Sequence, residues 1–150
     1  ELFAAVCETL HGEVTTVLLD AVHDTAAGGG DAFDRLLAGC DAWLDAMASG
    51  DARRLLVIEA PAVLGWERWN EMDERYGFAL LRAGIQAAHN EGSLPPIAVD
   101  DLAILLNGAM NHAVMMARGP DAATQLAGSK EALHAVLHAL RHQATTGTPD

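Results

Sequence analysis

Residues 101–117 read Asp-Leu-Ala-Ile-Leu-Leu-Asn-Gly-Ala-Met-Asn-His-Ala-Val-Met-Met-Ala. Asp100 or Asp101 can cap a helix here, and Arg118-Gly119-Pro120-Asp121 stops it and starts the next. Leu102, Ile104, Leu105, Leu106, Met110, Val114, Met115 and Met116 point around the whole circumference. A helix that is apolar all round is buried all round. It is too short to span a bilayer, and Asn107, Asn111 and His112 interrupt it. One side is therefore expected to face the chain's own core and the other a second copy. The following helix, 122–143, adds a stripe at Leu126, Leu133, Val136, Leu137 and Leu140. Two helices from each of two chains make a four-helix isologous interface. The expected interface residues are Leu105, Val114, Leu133, Val136, Leu137 and Leu140. The alternative is a fully internal central helix in a monomer.

Outward from this stretch the periodicity stays helical. Segment 1–26 sets Phe3, Val6, Cys7, Leu10, Val14, Val17, Leu18 and Ala21 at three- and four-residue steps. Gly28-Gly29-Gly30 breaks it, and Asp31 is a good cap for a helix over 32–48. That helix carries Phe33, Leu36, Leu37, Cys40, Trp43, Leu44 and Met47. Ser49-Gly50-Asp51 is a stop and a cap. A short helix over 52–60 ends at Pro61, and a long one covers 66–90. On the latter, Trp69, Met72, Tyr76, Leu80 and Ala83 share a face that Leu81, Ile85 and Ala88 widen. No segment alternates with period two. The pattern predicts an all-α chain of six helices in one domain.

Composition narrows the function. The chain has 150 residues, 51% apolar, with 21 acidic and 9 basic side chains and a net charge of -12. One domain of this size buries a core without staples. So acidic a surface offers no field for phosphates, which argues against nucleic acid or an anionic membrane as a direct partner. Residues 1–76 hold 15 of the acids; residues 77–150 hold 6 and are more apolar. No signal peptide is visible, and Glu1-Leu2-Phe3 already belongs to a helical pattern. The expectation is a fragment with an element lost before Glu1. Thr145 to Asp150 reads as a frayed end.

Several constellations could carry chemistry. Glu8-x-x-His11 and Glu131-x-x-His134 are the paired motif of di-iron carboxylate bundles, with Glu59, Glu67 or Glu71 as further ligands. The phase argues against it, because Glu131 lies opposite Leu133 and Glu8 beside its stripe. His134, His138 and His142 recur every fourth residue, a spacing that can share Zn²⁺ or Ni²⁺ but also describes a polar flank. Cys7 and Cys40 lie on apolar stripes, as small hydrophobes or as a pair across two helices. No nucleophile triad, phosphate-cradling loop or dinucleotide fingerprint is present, so no catalytic residue, metal or cofactor is assigned.

Large adaptable side chains remain. Trp43, Met47, Trp66, Trp69, Met72, Tyr76, Met110, Met115 and Met116 fall on apolar faces. Such stripes are core more often than ligand box. Asn107 and Asn111, one turn apart on the all-apolar helix, place hydrogen-bonding groups where burial is expected. An apolar pocket with a few convergent polar groups is how small-molecule sites are made. The expected pocket residues are Trp43, Met47, Trp69, Met72, Tyr76, Met110 and Asn111, with Asn111 orienting a polar group of the ligand.

Four stretches carry a family resemblance across essentially the whole chain. Glu1-Leu2-Phe3-Ala4-Ala5-Val6 resembles the start of the fourth helix of tetracycline repressor (TetR) family regulators, which follows their helix-turn-helix. Residues 59–69, Glu-Ala-Pro-Ala-Val-Leu-Gly-Trp-Glu-Arg-Trp, look like the sixth-to-seventh helix junction of one subgroup. Leu105 to Asn111 and Ala117 to Asp121 look like its eighth helix and turn. These are packing and turn motifs rather than chemical ones. The resemblance implies a cytoplasmic bacterial regulator, usually a repressor and not an enzyme. This chain would be its effector-binding and dimerisation domain, without the basic DNA-binding head. A small hydrophobic effector would enter among helices 1–26, 32–48, 66–90 and 101–117. The last two helices would form the dimer bundle, and operator DNA would be met only through the missing head. Two other readings stay open: a helical metal enzyme on Glu8, His11, Glu131 and His134, and a ligand-free helical interaction module.

Overall fold

A computed structural model describes residues 1–48 and 50–146. Those residues form α1 (Leu2–Ala27), α2 (Ala32–Ala48), α3 (Gly50–Ala52), a π-helical segment (Arg53–Glu59), α4 (Ala60–Leu64), α5 (Trp66–Arg75), α6 (Gly77–Asn90), α7 (Val99–Met116), a 3₁₀ turn (Gly119–Asp121) and α8 (Ala122–Thr146). There is no strand among them. The expected stop at Ser49 and the tail from Gly147 lie outside the described residues. Thr145 and Thr146 continue α8 rather than fraying.

The hub is α2. It packs against α1, α6, α7 and α8. Phe33, Leu36, Leu37, Cys40, Trp43, Leu44 and Met47 are all buried, as the sequence spacing predicts. Its start is held by a reciprocal box. The Asp34 N–H donates to Asp31 Oδ1 at 2.9 Å, and the Asp31 N–H donates to Asp34 Oδ2 at 3.2 Å. Such a box satisfies two helix-end donors that have no partner within the helix. Glu91, just past α6, then accepts from the Ala32 N–H at 2.9 Å and pairs with Arg35 at 3.2 Å.

Packing shifts several faces from their sequence reading. On α1 the buried line is Ala4, Cys7, His11, Val14 and Leu18, whereas Val6 and Val17 are exposed. By length and composition α1 could cross a membrane, but its buried line packs along α2. On α7 Leu102, Ala103, Leu106, Met110, Asn111 and Val114 are buried. Ile104 (59% exposed), Leu105 (70%), Met115 and Met116 face outward, so this helix is buried on one side only. It starts at Val99 after Ala98, with Asp100 and Asp101 in the first turn where the helix dipole favours acids, so neither is the cap. On α8 Leu133 and Leu137 are buried in the chain's own core and Leu140 is half-buried, while Val136 is 54% exposed. Val114 is fully buried. Of the six residues expected at an interface, Leu105 and Val136 alone present open side chains.

The helix expected over 66–90 is two helices. The chain turns at Tyr76 (φ -114°, ψ -92°), whose N–H closes α5 on the carbonyls of Met72 and Asp73. Before the break Trp69, Met72 and Asp73 are buried; after it Ile85 and Ala88 are. Ala83 is exposed, because the turn rotates the apolar face of α6 relative to α5. The short helix does not stop at Pro61 either. It runs on to Leu64 through a change of hydrogen-bond register, with Pro61, which has no N–H, in the first turn of α4.

α8 is fastened to α2 by an antiparallel polar seam. Lys130 pairs with Asp45 at 2.9 Å, His134 Nε2 meets Asp41 Oδ1 at 2.8 Å, and Arg141 reaches Asp31 and Asp34. His138 packs on Phe33, with ring centroids 5.2 Å apart. Two members of the histidine run therefore have partners within the fold.

Candidate ligand cavity

Helix α2 meets α1, α6 and α7 around a cavity of about 250 Å³. α1 contributes Leu18, Leu19 and Val22. α2 contributes Leu36, Cys40 and Trp43; α6 contributes Leu80, Leu81 and Ala87; α7 contributes Met110 and Asn107. Gly39, Gly77 and Gly84 complete the wall. The absence of side chains at these positions is part of why space remains. A Cβ on Gly84 would come within 3.2 Å of Leu36 Cδ1. A second, more open hollow of about 520 Å³ lies between the π segment and the end of α7, near Arg53, Val57, Ile58 and Arg118. The first is the better ligand site, because it is the more enclosed and gathers a few polar groups in an apolar wall.

Those polar groups are Arg35, Asn107 and Trp43. Arg35 is already committed to Glu91 and to the Gly30 carbonyl at 3.0 Å. The Asn107 Nδ2–H donates to Asp73 Oδ2 at 2.7 Å. Asp73 is 7% exposed, and burial pushes its carboxyl above the ordinary range, against the Asn107 hydrogen bond and with help from Glu74. Cys40 is buried and free, and burial followed by the charge of Asp41 pushes its thiol up to about 12. It is a small apolar wall residue and not a thiolate at neutral pH. Cys7 is likewise buried and free, with its thiol raised by burial and then by Glu59.

The cavity gathers only part of the expected pocket. Trp43 and Met110 line it. Met47, Trp69, Met72, Tyr76 and Asn111 are off its wall. The Trp69 indole N–H donates to the Leu56 carbonyl at 2.8 Å, and the Tyr76 ring stacks on His11 at 5.2 Å. Asn107, rather than Asn111, is the asparagine on the wall. Trp66, Met115 and Met116 are largely exposed and not core. Sequence reasoning missed Gly77, Gly84 and Asp73. The signal was present: glycines seven apart on one helix, and an acid four residues after Trp69 on the same apolar face.

The metal constellations come apart in space. Glu8 faces Arg75 at 3.7 Å, His11 is stacked on Tyr76, His134 binds Asp41 and Glu131 is exposed. No three His, Cys, Asp or Glu side chains converge to hold an ion among the described residues.

No individual curated protein matches the chain at a significant level. The family model described as Tetracyclin repressor-like, C-terminal domain matches residues 33–140, from the start of α2 to near the end of α8. That span covers three walls of the cavity and the seam that fastens α8. The all-helical order and this match agree, and the chain belongs to the tetracycline repressor-like C-terminal domain family of transcriptional regulators.

Proposed function

We propose that this chain is the effector-sensing and dimerisation domain of a bacterial repressor and acts without catalysis. A small hydrophobic molecule binds in the cavity between α1, α2, α6 and α7. Its binding shifts the balance between two dimer states, and so the DNA affinity of an N-terminal head. The observation that carries this reading is the partly enclosed apolar cavity with its few polar groups. Trp43 and Met110 contact the ligand, while Met47, Trp69, Met72, Tyr76 and Asn111 form the packing beyond the wall. Native mass spectrometry of the purified chain tests the proposal. A dimer retaining an extra few hundred daltons, on the order expected for a pocket-sized ligand, supports it; a bare monomer removes it.

The dimer surface is the outward side of α7 and α8, where Ile104, Leu105, Met116 and Val136 are exposed. Large apolar side chains left exposed on two neighbouring helices are what a partner copy would cover. Leu105→Glu combined with Val136→Glu is expected to yield a folded monomer. Because both side chains are already open, thermal stability of the monomer should change by no more than about 0.5 kcal/mol per site. Sedimentation velocity reads the outcome, and an unchanged dimer peak would place the interface elsewhere.

A further inference from the structure

Beside one corner of the cavity stand a donor and an acceptor that have no protein partner among the described residues. A Cβ placed on Gly77 would stand 3.5 Å from Asp73 Oδ1 and 3.6 Å from Trp43 Nε1. Gly77 has none, and while Gly77 and Trp43 lie on the cavity wall, Asp73 stands behind Gly77 and is reached from the cavity only across that missing side chain. Asn107 answers Asp73 Oδ2 only. Among the described residues nothing donates to Asp73 Oδ1, and nothing accepts from the Trp43 indole N–H. No arginine, lysine or histidine among them forms an ion pair with Asp73, and the charge acting on it from Glu74 is also negative. The one cationic side chain on the wall, Arg35, is neutralised by Glu91. Among the described residues, the acid beside this apolar cavity that has no cationic partner is therefore Asp73, 7% exposed, whose carboxyl burial holds toward its neutral form until a cation pairs with it.

We propose that the notch at Gly77 is a subsite for a protonated amine on a hydrophobic ligand. The ammonium N–H donates to Asp73 Oδ1, and an acceptor next to the nitrogen takes the Trp43 indole N–H. Burying a charge is costly unless it is paired, so an unpaired carboxylate here favours a cation over a neutral donor and rejects an anion. Charge-assisted hydrogen bonds are about twice as strong as neutral ones, which sets the scale of the preference. This specificity rests on the cavity being the effector site.

The test is isothermal titration calorimetry of the 150-residue chain with three probes sharing one two-ring body: 2-(1-naphthyl)ethylamine, 2-(1-naphthyl)ethanol and 1-naphthylacetate. At neutral pH and low salt the amine should bind about tenfold more tightly than the alcohol, the difference between a charged and a neutral hydrogen bond. The carboxylate should bind most weakly. Gly77→Ala puts a methyl group into the notch at ordinary contact distances, so it should fold and bring the amine down to the level of the alcohol. Asp73→Asn should do the same. Equal affinity for amine and alcohol, or a lead for the carboxylate, overturns the subsite while leaving the cavity as an effector site. Binding of none of the three overturns both. The ranking in the unmodified chain decides the matter even if a variant fails to fold.

Discussion

Lowering the pH from 7 to about 4 is expected to cost the fold about 3 kcal/mol through the single side chain of His11. His11 lies on the buried line of α1, stacked on Tyr76 with the rings 8° from parallel, and its Nε2 is buried without a hydrogen-bond partner among the described residues. Burial, and then the positive charge of Arg75, lower its pKa from 6.5 to about 4. Arg75 lies over the Tyr76 ring at 6.0 Å and is only partly offset by Glu8 at 3.7 Å. The unfolded chain protonates near 6.5 and the folded chain near 4. Between those values the unfolded state binds more protons. Stability is thus fully present above pH 6.5 and is lost as pH falls through the folded value. His11→Phe keeps an aromatic ring on Tyr76, removes the unpaired nitrogen and cannot titrate. Urea unfolding should give similar stabilities at pH 7 and a gap of about 3 kcal/mol in favour of the variant near pH 4. Carboxylates titrate in both proteins and cancel in the difference. Parallel pH curves for the two proteins would refute the assignment.

Trp69→Phe is expected to destabilise the chain by about 2 kcal/mol, for a reason located eight residues upstream. In the π segment the Ala60 N–H bonds to the Leu55 carbonyl, five residues back. The next donor in that register would be residue 61, and its acceptor Leu56. Pro61 has no N–H, so the Leu56 carbonyl loses its helical partner. The Trp69 indole supplies the replacement at 2.8 Å, in a buried position. Removing that donor leaves a buried carbonyl unsatisfied, which costs about 1–3 kcal/mol. A double-mutant cycle isolates the effect. In a Pro61→Ala background the new N–H can take up the Leu56 carbonyl, and the penalty of Trp69→Phe should fall below about 1 kcal/mol, leaving the packing loss common to both backgrounds. Additive costs would show that Trp69 serves packing alone.

The two predictions mark how far the sequence could be read. Asp31 as the cap of α2, the break at Gly28–Gly30 and the seven large apolar side chains buried on α2 were legible, because caps and periodicity are local properties of one helix. The family was legible for a related reason: its motifs are packing and turn residues in a fixed order. The partner of the Leu56 carbonyl beside Pro61 was not, because its donor is a tryptophan from another helix. The burial of His11 was not legible either, since nothing in Glu8-x-x-His11, a metal motif that the phase argues against, reveals that Tyr76 covers it. The turn at Tyr76 was hidden because the apolar spacing continues across it with only a change of phase.

Sequence alone determined that this chain is helical, where most of its helices begin, and which family it belongs to. Tertiary structure decided which side of α7 is left open, which asparagine meets the cavity, and that Gly77 leaves a notch between Asp73 and Trp43. Periodicity gives the phase of side chains about one axis, but whether a face meets a neighbour, a void or solvent depends on where the other axes run. A cavity is a property of several helices at once, so no single stretch of sequence contains it.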